Sequence, residues 1–370
     1  MKIVHCIFTM RMGGAQVLTI DLLNEMCQFH DVSLVVINGD YDQKLVDHLS
    51  KKVSFYCLNR NEGSRNPLPI LHLNLLLSRL QPDIIHCHER KMIRLIKYTR
   101  ARTIYTIHDV TIPTDTFYLY DALVAISNSV AADVRNRSNL PVDVVSNGIP
   151  MRNFAKRNSY STSPESIIRL VQVSRLVHEK KGQDILIQAL AKLVHENLET
   201  NVSLDFIGDG ASKSYLLSLA KSLKVEAFIN FCGEQERNQV VKHLASYHIL
   251  VQPSRFEGFG LTVVEGFAAG LPVIASDIEG PAEIMKHLPA GFLFIPESVD
   301  ACVDALRHVI AAYRLNQIEI LMDETYKIVE NQFSIQSTAS NYLNVYQRLM
   351  VTRRVRSLPS ILSSKLRLTP

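Results

Sequence analysis

Short apolar runs alternate with amphipathic stretches along most of the chain. Residues 2–8, 32–37, 83–87, 103–107 and 122–126 are apolar runs of strand length. After the first of them, Leu18, Leu22, Leu23 and Met26 recur at helical spacing, which predicts a helix over residues 15–29. Strands alternating with helices predict βαβ units and a parallel sheet. The rhythm breaks between about residues 150 and 166, where the polar, Ser-rich segment MRNFAKRNSYSTSPES reads as a linker. It then restarts, with strand candidates at 167–173, 203–207, 228–232, 249–252 and 272–275. The pattern therefore predicts α/β architecture with one unit over 1–150, a linker over 151–166 and a second unit over 167–332. Residues 333–350 read as a helix and 351–370 as a tail. In open parallel sheets ligands bind beyond the carboxyl ends of the strands, so two such units facing each other enclose a cleft there.

Composition narrows the class. With 370 residues, 47% hydrophobic and 21% charged, the chain is neither disordered, collagen-like nor coiled-coil. A net charge of +4, no Trp and few aromatics give no footing for nucleic acid. No run reaches the roughly 18 apolar residues of a membrane span. The segment MKIVHCIFTMRMGG reads as a first strand rather than a signal peptide. The six cysteines, Cys6, Cys27, Cys57, Cys87, Cys232 and Cys302, form no CxxC pair; Cys6, Cys87 and Cys232 lie in strand candidates, and most read as small core residues. Scattered free thiols fit a reducing cytoplasm.

Two basic segments stand out. On a helical wheel, residues 89–102 place Arg90, Lys91, Arg94 and Lys97 opposite Met92, Ile93, Leu95 and Ile96. Such a helix lies on an anionic membrane surface, or packs its apolar face on the sheet with its charges in water. The tail carries Arg353, Arg354, Arg356, Lys365 and Arg367 with no Asp or Glu.

The segment PSRFEGFGLTVVE, 253–265, carries the most chemistry. It joins a strand candidate to a helical run, with Glu257 in the loop and Glu265 in the first turns of the helix. Gly258 and Gly260 let backbone pass close to a ligand. The free N–H groups of Gly260, Leu261 and Thr262 suit a phosphate. Two carboxylates beside them suit sugar hydroxyls, so the set fits a nucleotide sugar; a glycine-rich turn with two surface acids is the other reading. Three further patterns carry less. Asp40-Tyr41-Asp42 spells a D-x-D metal pattern but sits in a loop without supporting context. His86 and His88 face the same way on a strand, with no third ligand nearby in sequence. GDGASK, 208–213, lacks the spacing of a phosphate-binding Walker loop.

Residues 257–265 resemble the E-x7-E signature of glycosyltransferase family 4, retaining enzymes with the GT-B fold. Other pieces match in the same order: Gly13-Gly14-Ala15 after the first strand, PDIIHCH, TIHD, AISNS, SNGI, VSRLVHEKKG, IGDG and FCGEQ. The resemblance implies two Rossmann-like domains facing across a cleft, the first binding acceptor and the second a nucleotide diphosphate sugar, with the C-terminal helix crossing back to the first. It implies Arg175 and Lys181 at the diphosphate, Glu257 on the transferred sugar, His108 beside that sugar and Glu265 on the ribose. Gly13 and Gly14 approach the phosphates, Gln235 faces the base, and Gly208, Gly260, Leu261 and Thr262 complete the donor site. No resident metal or cofactor is implied; the donor is a substrate. The implied function is retaining transfer to a glycan or lipid-linked acceptor in surface polysaccharide, lipopolysaccharide or glycoconjugate synthesis, in the cytoplasm or on the inner leaflet. The alternatives are a nucleotide-sugar 2-epimerase on the same fold and a non-catalytic glycan- or nucleotide-binding module.

Overall fold

A computed structural model describes residues 1–11, 13–97, 99–163, 165–196 and 201–352. Seven parallel strands build the first sheet: β1 (Lys2–Ile7), β2 (Asp31–Asn38), β3 (Ser54–Arg60), β4 (Ile84–Cys87), β5 (Arg102–Ile107), β6 (Ala122–Ala125) and β7 (Asp143–Val144), in the order β3-β2-β1-β4-β5-β6-β7. Six parallel strands build the second: β8 (Ile168–Val173), β9 (Val202–Ile207), β10 (Ile229–Gly233), β11 (Ile249–Gln252), β12 (Val273–Ser276) and β13 (Gly291–Phe294), in the order β10-β9-β8-β11-β12-β13. Central strands such as Ile84–Cys87 and Ile249–Gln252 are buried along their whole length, which explains their largely apolar sequences. Both sheets reverse strand order once, between β1 and β4 and between β8 and β11. That switch point opens a crevice at the carboxyl ends of the flanking strands. Gly13 and Gly14 follow β1, Arg175 and Lys181 follow β8, and Glu257 to Glu265 follow β11, while His108, Gly208 and Gln235 follow the neighbouring β5, β9 and β10.

The two sheets are joined by two crossings that touch. Ile149 and Ser334 form a parallel bridge, with Ile149 N–H donating to Phe333 O at 2.9 Å and Ile335 N–H to Ile149 O at 2.8 Å. A Cβ on Gly148 would stand 2.4 Å from Ser334 O, so only glycine passes here. The helix Ile335–Val351 then returns to the first sheet, where Tyr342 and Tyr346 are buried in its core. Residues 151–163 are polar yet not loose. Arg157 N–H donates to Ala269 O, its guanidinium to Tyr247 O, and the Tyr160 hydroxyl to Gly270 O.

Three expectations are corrected. Residues 89–102 form no amphipathic helix; among the described residues only a 3-10 turn, Met92–Arg94, is present. The segment bridges β4 to β5, and several of its polar groups are paired. Asn74 bonds Leu95 O and Lys97 N, while Arg90 and Arg94 both pair with Asp115. The Arg90 side chain is only 21% exposed, so it is not part of a solvated basic face. Cys232 is exposed, because it lies on the edge strand of the second sheet, whereas Cys6, Cys27, Cys87 and Cys302 are buried. His86 and His88 do meet a third imidazole: β1 pairs with β4 in a register that sets His5 opposite His86. The tail basic residues lie outside the described residues. No helix among the described residues is long and apolar enough to cross a membrane.

Candidate active site

The site grows from two loops of the second sheet. After β8 the chain runs through Arg175 into a single helical turn, His178–Lys181, ended by Gly182 in the left-handed conformation (φ +66°). A Cβ on Gly182 would lie 1.9 Å from Pro253 O, so glycine lets the two loops pack backbone to backbone. Arg255 ties them further: its N–H donates to Lys180 O, and its guanidinium grips the Asp184 carboxylate at 2.9 and 3.0 Å and His178 O at 2.7 Å. The result sets Lys181 Nζ 2.5 Å from Glu257 Oε2, both side chains about one-fifth exposed. Gln183, buried, donates to Arg175 O at 3.0 Å and so fixes the backbone of that loop. The Arg175 side chain is exposed and makes no ion pair or hydrogen bond among the described residues. Gly208 (φ +139°) lies against this loop; a Cβ there would meet Ser174 O at 2.0 Å.

Gly260, at φ +101°, turns the chain into the helix Leu261–Ala268. No side chain caps that helix among the described residues, which leaves its first N–H groups free to meet an anion. The first-sheet wall of the cleft comes close at two points. A Cβ on Gly258 would lie 3.4 Å from His108 O, and one on Gly14 would lie 3.5 Å from the Leu261 side chain. Gly14 opens the helix Gly14–Met26, and Gly13 precedes it in extended backbone that any residue adopts. Glu257, Gly258, Gly260, Leu261, Lys181, His108 and Gly14 are thus brought to one crevice.

Glu265 is one helical turn deeper. Burial pushes its carboxyl up to about 7, the Arg237 guanidinium opposes that rise, and Asp21 reinforces it. Arg237 reaches across the cleft to grip Asp21 through two hydrogen bonds of 3.1 and 2.7 Å. Gln235 is half-buried in the turn between β10 and the helix Arg237–His243. A second contact across the cleft is made by Glu283, whose carboxylate accepts from Asn128 N–H at 2.8 Å and Ser129 N–H at 3.3 Å, in the first turn of the helix Asn128–Ser138, which Ser127 also caps. Sequence reading missed Asp21, Arg237, Arg255 and Glu283. Arg255 stood inside the informative loop; the other three carry no signal, because each acts on a partner far away in the chain.

Three other candidates resolve locally. Asp42 accepts from Lys44 N–H at 2.9 Å as a helix cap, and Asp40 pairs with Arg11. Asp209 accepts from Gly210 N–H and pairs with Lys213. In the histidine cluster both ring nitrogens of His86 are taken, by the Tyr346 hydroxyl and by Thr106 Oγ1, each at 2.6 Å. His86 and His88 stack at 9°. Lone pairs of stacked rings do not converge on one ion, so the cluster is a hydrogen-bonded unit.

Two family models match the chain, Glycosyltransferase Family 4 over residues 12–152 and Glycosyl transferases group 1 over residues 156–319. The chain matches one glycosyltransferase family model in each half, and its fold is GT-B. It is 27% identical to the N-acetyl-alpha-D-glucosaminyl L-malate synthase of Bacillus anthracis over 61% of its own length, and spans 59% of that protein. It is 23% identical to the O-antigen biosynthesis glycosyltransferase WclY of Escherichia coli, over 94% of this chain and 99% of that one. Among solved structures, a glycosyltransferase from Rickettsia africae superposes with a TM-score of 0.80 at 20% identity, covering 95% and 99% of the two chains. Anabaena Alr3699/HepE in complex with UDP superposes with a TM-score of 0.75 at 20% identity, covering 94% and 100%.

Proposed function

We propose that the chain transfers a sugar from a nucleotide diphosphate sugar to a glycan or lipid-linked acceptor, with retention at the anomeric carbon and without a divalent ion. Surface polysaccharide, lipopolysaccharide or a related glycoconjugate is the product class, made on the cytoplasmic side of the membrane. The observation that carries this reading is the crevice between the β8 and β11 loops. There Lys181 meets Glu257 at 2.5 Å, Arg175 is unpaired among the described residues, and the helix after Gly260 has uncapped N–H groups. UDP in the HepE structure of like fold, and O-antigen synthesis by WclY, agree with it.

Each residue has a physical task in this reading. Negative charge grows on the diphosphate as the glycosidic bond breaks, and prearranged donors lower the barrier by meeting it there. Arg175 offers a planar fork and Lys181 a point charge. The amides of Leu261 and Thr262 add the helix N-terminus. Glu257, oriented by Lys181, accepts from the sugar hydroxyls. Glu265 accepts from the ribose, Gln235 borders the base, and Gly13, Gly14 and Gly208 admit the donor closely. The departing diphosphate oxygen takes the acceptor proton from the same face, so no enzymic nucleophile is required.

A panel of nucleotide diphosphate sugars, each with and without candidate glycan acceptors and with excess chelator, tests the proposal. One donor should raise the melting temperature and be consumed only when acceptor is added, with the chelator making no difference. Conversion of a donor sugar without acceptor would replace transfer by epimerisation. Activity lost on chelation and restored by manganese would overturn the metal-free reading.

A further inference from the structure

Behind His108 lies a line of imidazoles that the proposed transfer leaves unused. His88 Nδ1 is 3.3 Å from His108 Nε2, and His88 Nε2 is 3.0 Å from His5 Nδ1. The rings of His88 and His108 are nearly parallel, 19° apart, and meet edge to edge with centroids 5.6 Å apart. His5 Nε2, at the inner end, is buried with no partner among the described residues. Burial holds all three rings uncharged, pushing His5 down to about 3, His108 down to about 4 and His88 well below the usual histidine range.

An uncharged imidazole has one N–H and one lone pair, so the direction of one hydrogen bond sets the whole line. If His108 donated from Nε2, His88 would donate from Nε2 to His5 Nδ1. His5 would then hold its proton on Nε2, a buried N–H facing no acceptor. In the opposite order His5 Nδ1–H donates to His88 Nε2, and His88 Nδ1–H donates to His108 Nε2. The orphan at the inner end is then only a lone pair. Orphaned buried N–H groups are rarer than under-satisfied acceptors, which selects the second order. We propose that His5 and His88 are positioning residues that hold His108 as its Nδ1–H tautomer, with that N–H available as a hydrogen-bond donor to an oxygen of the donor sugar. The inference rests on the reading that His108 borders the sugar. On that reading His108 acts by donating a hydrogen bond and not by exchanging a proton.

Nitrogen-15 long-range correlation spectra of the full chain, labelled at histidine, read the tautomer directly and need no substrate; H108Q assigns the His108 signals. The wild type should show His108 as Nδ1–H. H88F should shift it to Nε2–H, and H88Q, whose amide N–H donates as His88 does, should restore Nδ1–H. With an active donor, H88F should lower kcat about tenfold, the loss of one hydrogen bond, with donor KM unchanged and activity recovered in H88Q. His108 as Nε2–H in the wild type, or unchanged in H88F, overturns the proposal; should H88F fail to fold, the wild-type spectrum decides. Failure of every donor to react would sink the transfer reading and leave the spectrum to judge the line of histidines.

Discussion

Two glutamates eight positions apart sit in different surroundings. Glu257 is held by Lys181 at the mouth of the crevice, while Glu265 is partly buried with its carboxyl pushed up to about 7. A group serving the nucleotide is used alike in ground and transition states; one serving the sugar is used most as the bond breaks. Glu265→Gln should therefore weaken nucleotide diphosphate binding, and Glu257→Gln should lower turnover with that binding little changed. Each effect should be about tenfold to a hundredfold, the scale of a hydrogen bond to a charged group. Calorimetry beside steady-state kinetics separates them, and a swap of the two effects would reverse the roles. Both glutamates were readable because their spacing and flanking glycines lie within one short segment. The Lys181–Glu257 contact was not, since it joins residues 76 positions apart through a packing that only Gly182 permits.

At the level of elements, β11 and β12 were readable from their short, mostly apolar runs, because both are buried along their whole length, whereas the half-buried edge strand β13 was missed. Residues 89–102 show where a wheel misleads. Basic and apolar residues fell on opposite sides of a helix that does not form, and Arg90 and Arg94 are spent on Asp115 in a connecting loop. The turn His178–Lys181 depends instead on one glycine. Gly182→Ala combines left-handed backbone with a Cβ 1.9 Å from Pro253 O, and should cost at least about 2 kcal/mol by urea denaturation. Gly63 offers the control. It has φ +74° with open space around it, so Gly63→Ala should cost the backbone strain of about 1 kcal/mol alone. Equal costs at the two positions would mean that the loops are not packed as described.

The whole molecule joins two sheets through the Ile149–Ser334 crossing, the returning helix and the two acid contacts across the cleft. None of the acid contacts was readable, since each pairs residues more than 150 positions apart. The uncharged histidines behind the cleft make the fold sensitive to acid. A histidine held below its unfolded value binds fewer protons folded than unfolded, so its contribution is complete above about 6.5 and is lost as pH falls toward about 4 and 3 for His108 and His5. Stability should fall between pH 6.5 and 4 by up to about 1.4 kcal/mol per unit for each such group. H5F should flatten that slope in urea titrations across the range, and an unchanged slope would remove His5 from its origin. The central claim is that the β8 and β11 loops hold a nucleotide diphosphate with Arg175 and Lys181 supplying the charge. Its most direct measurement is calorimetric titration of UDP, with chelator present, into the wild type and the R175A/K181A double variant. The account predicts binding by the wild type and a loss of at least about a hundredfold in the variant, two charge-assisted contacts being removed. No binding of UDP or any other nucleoside diphosphate to the wild type, or equal binding by both proteins, would contradict it.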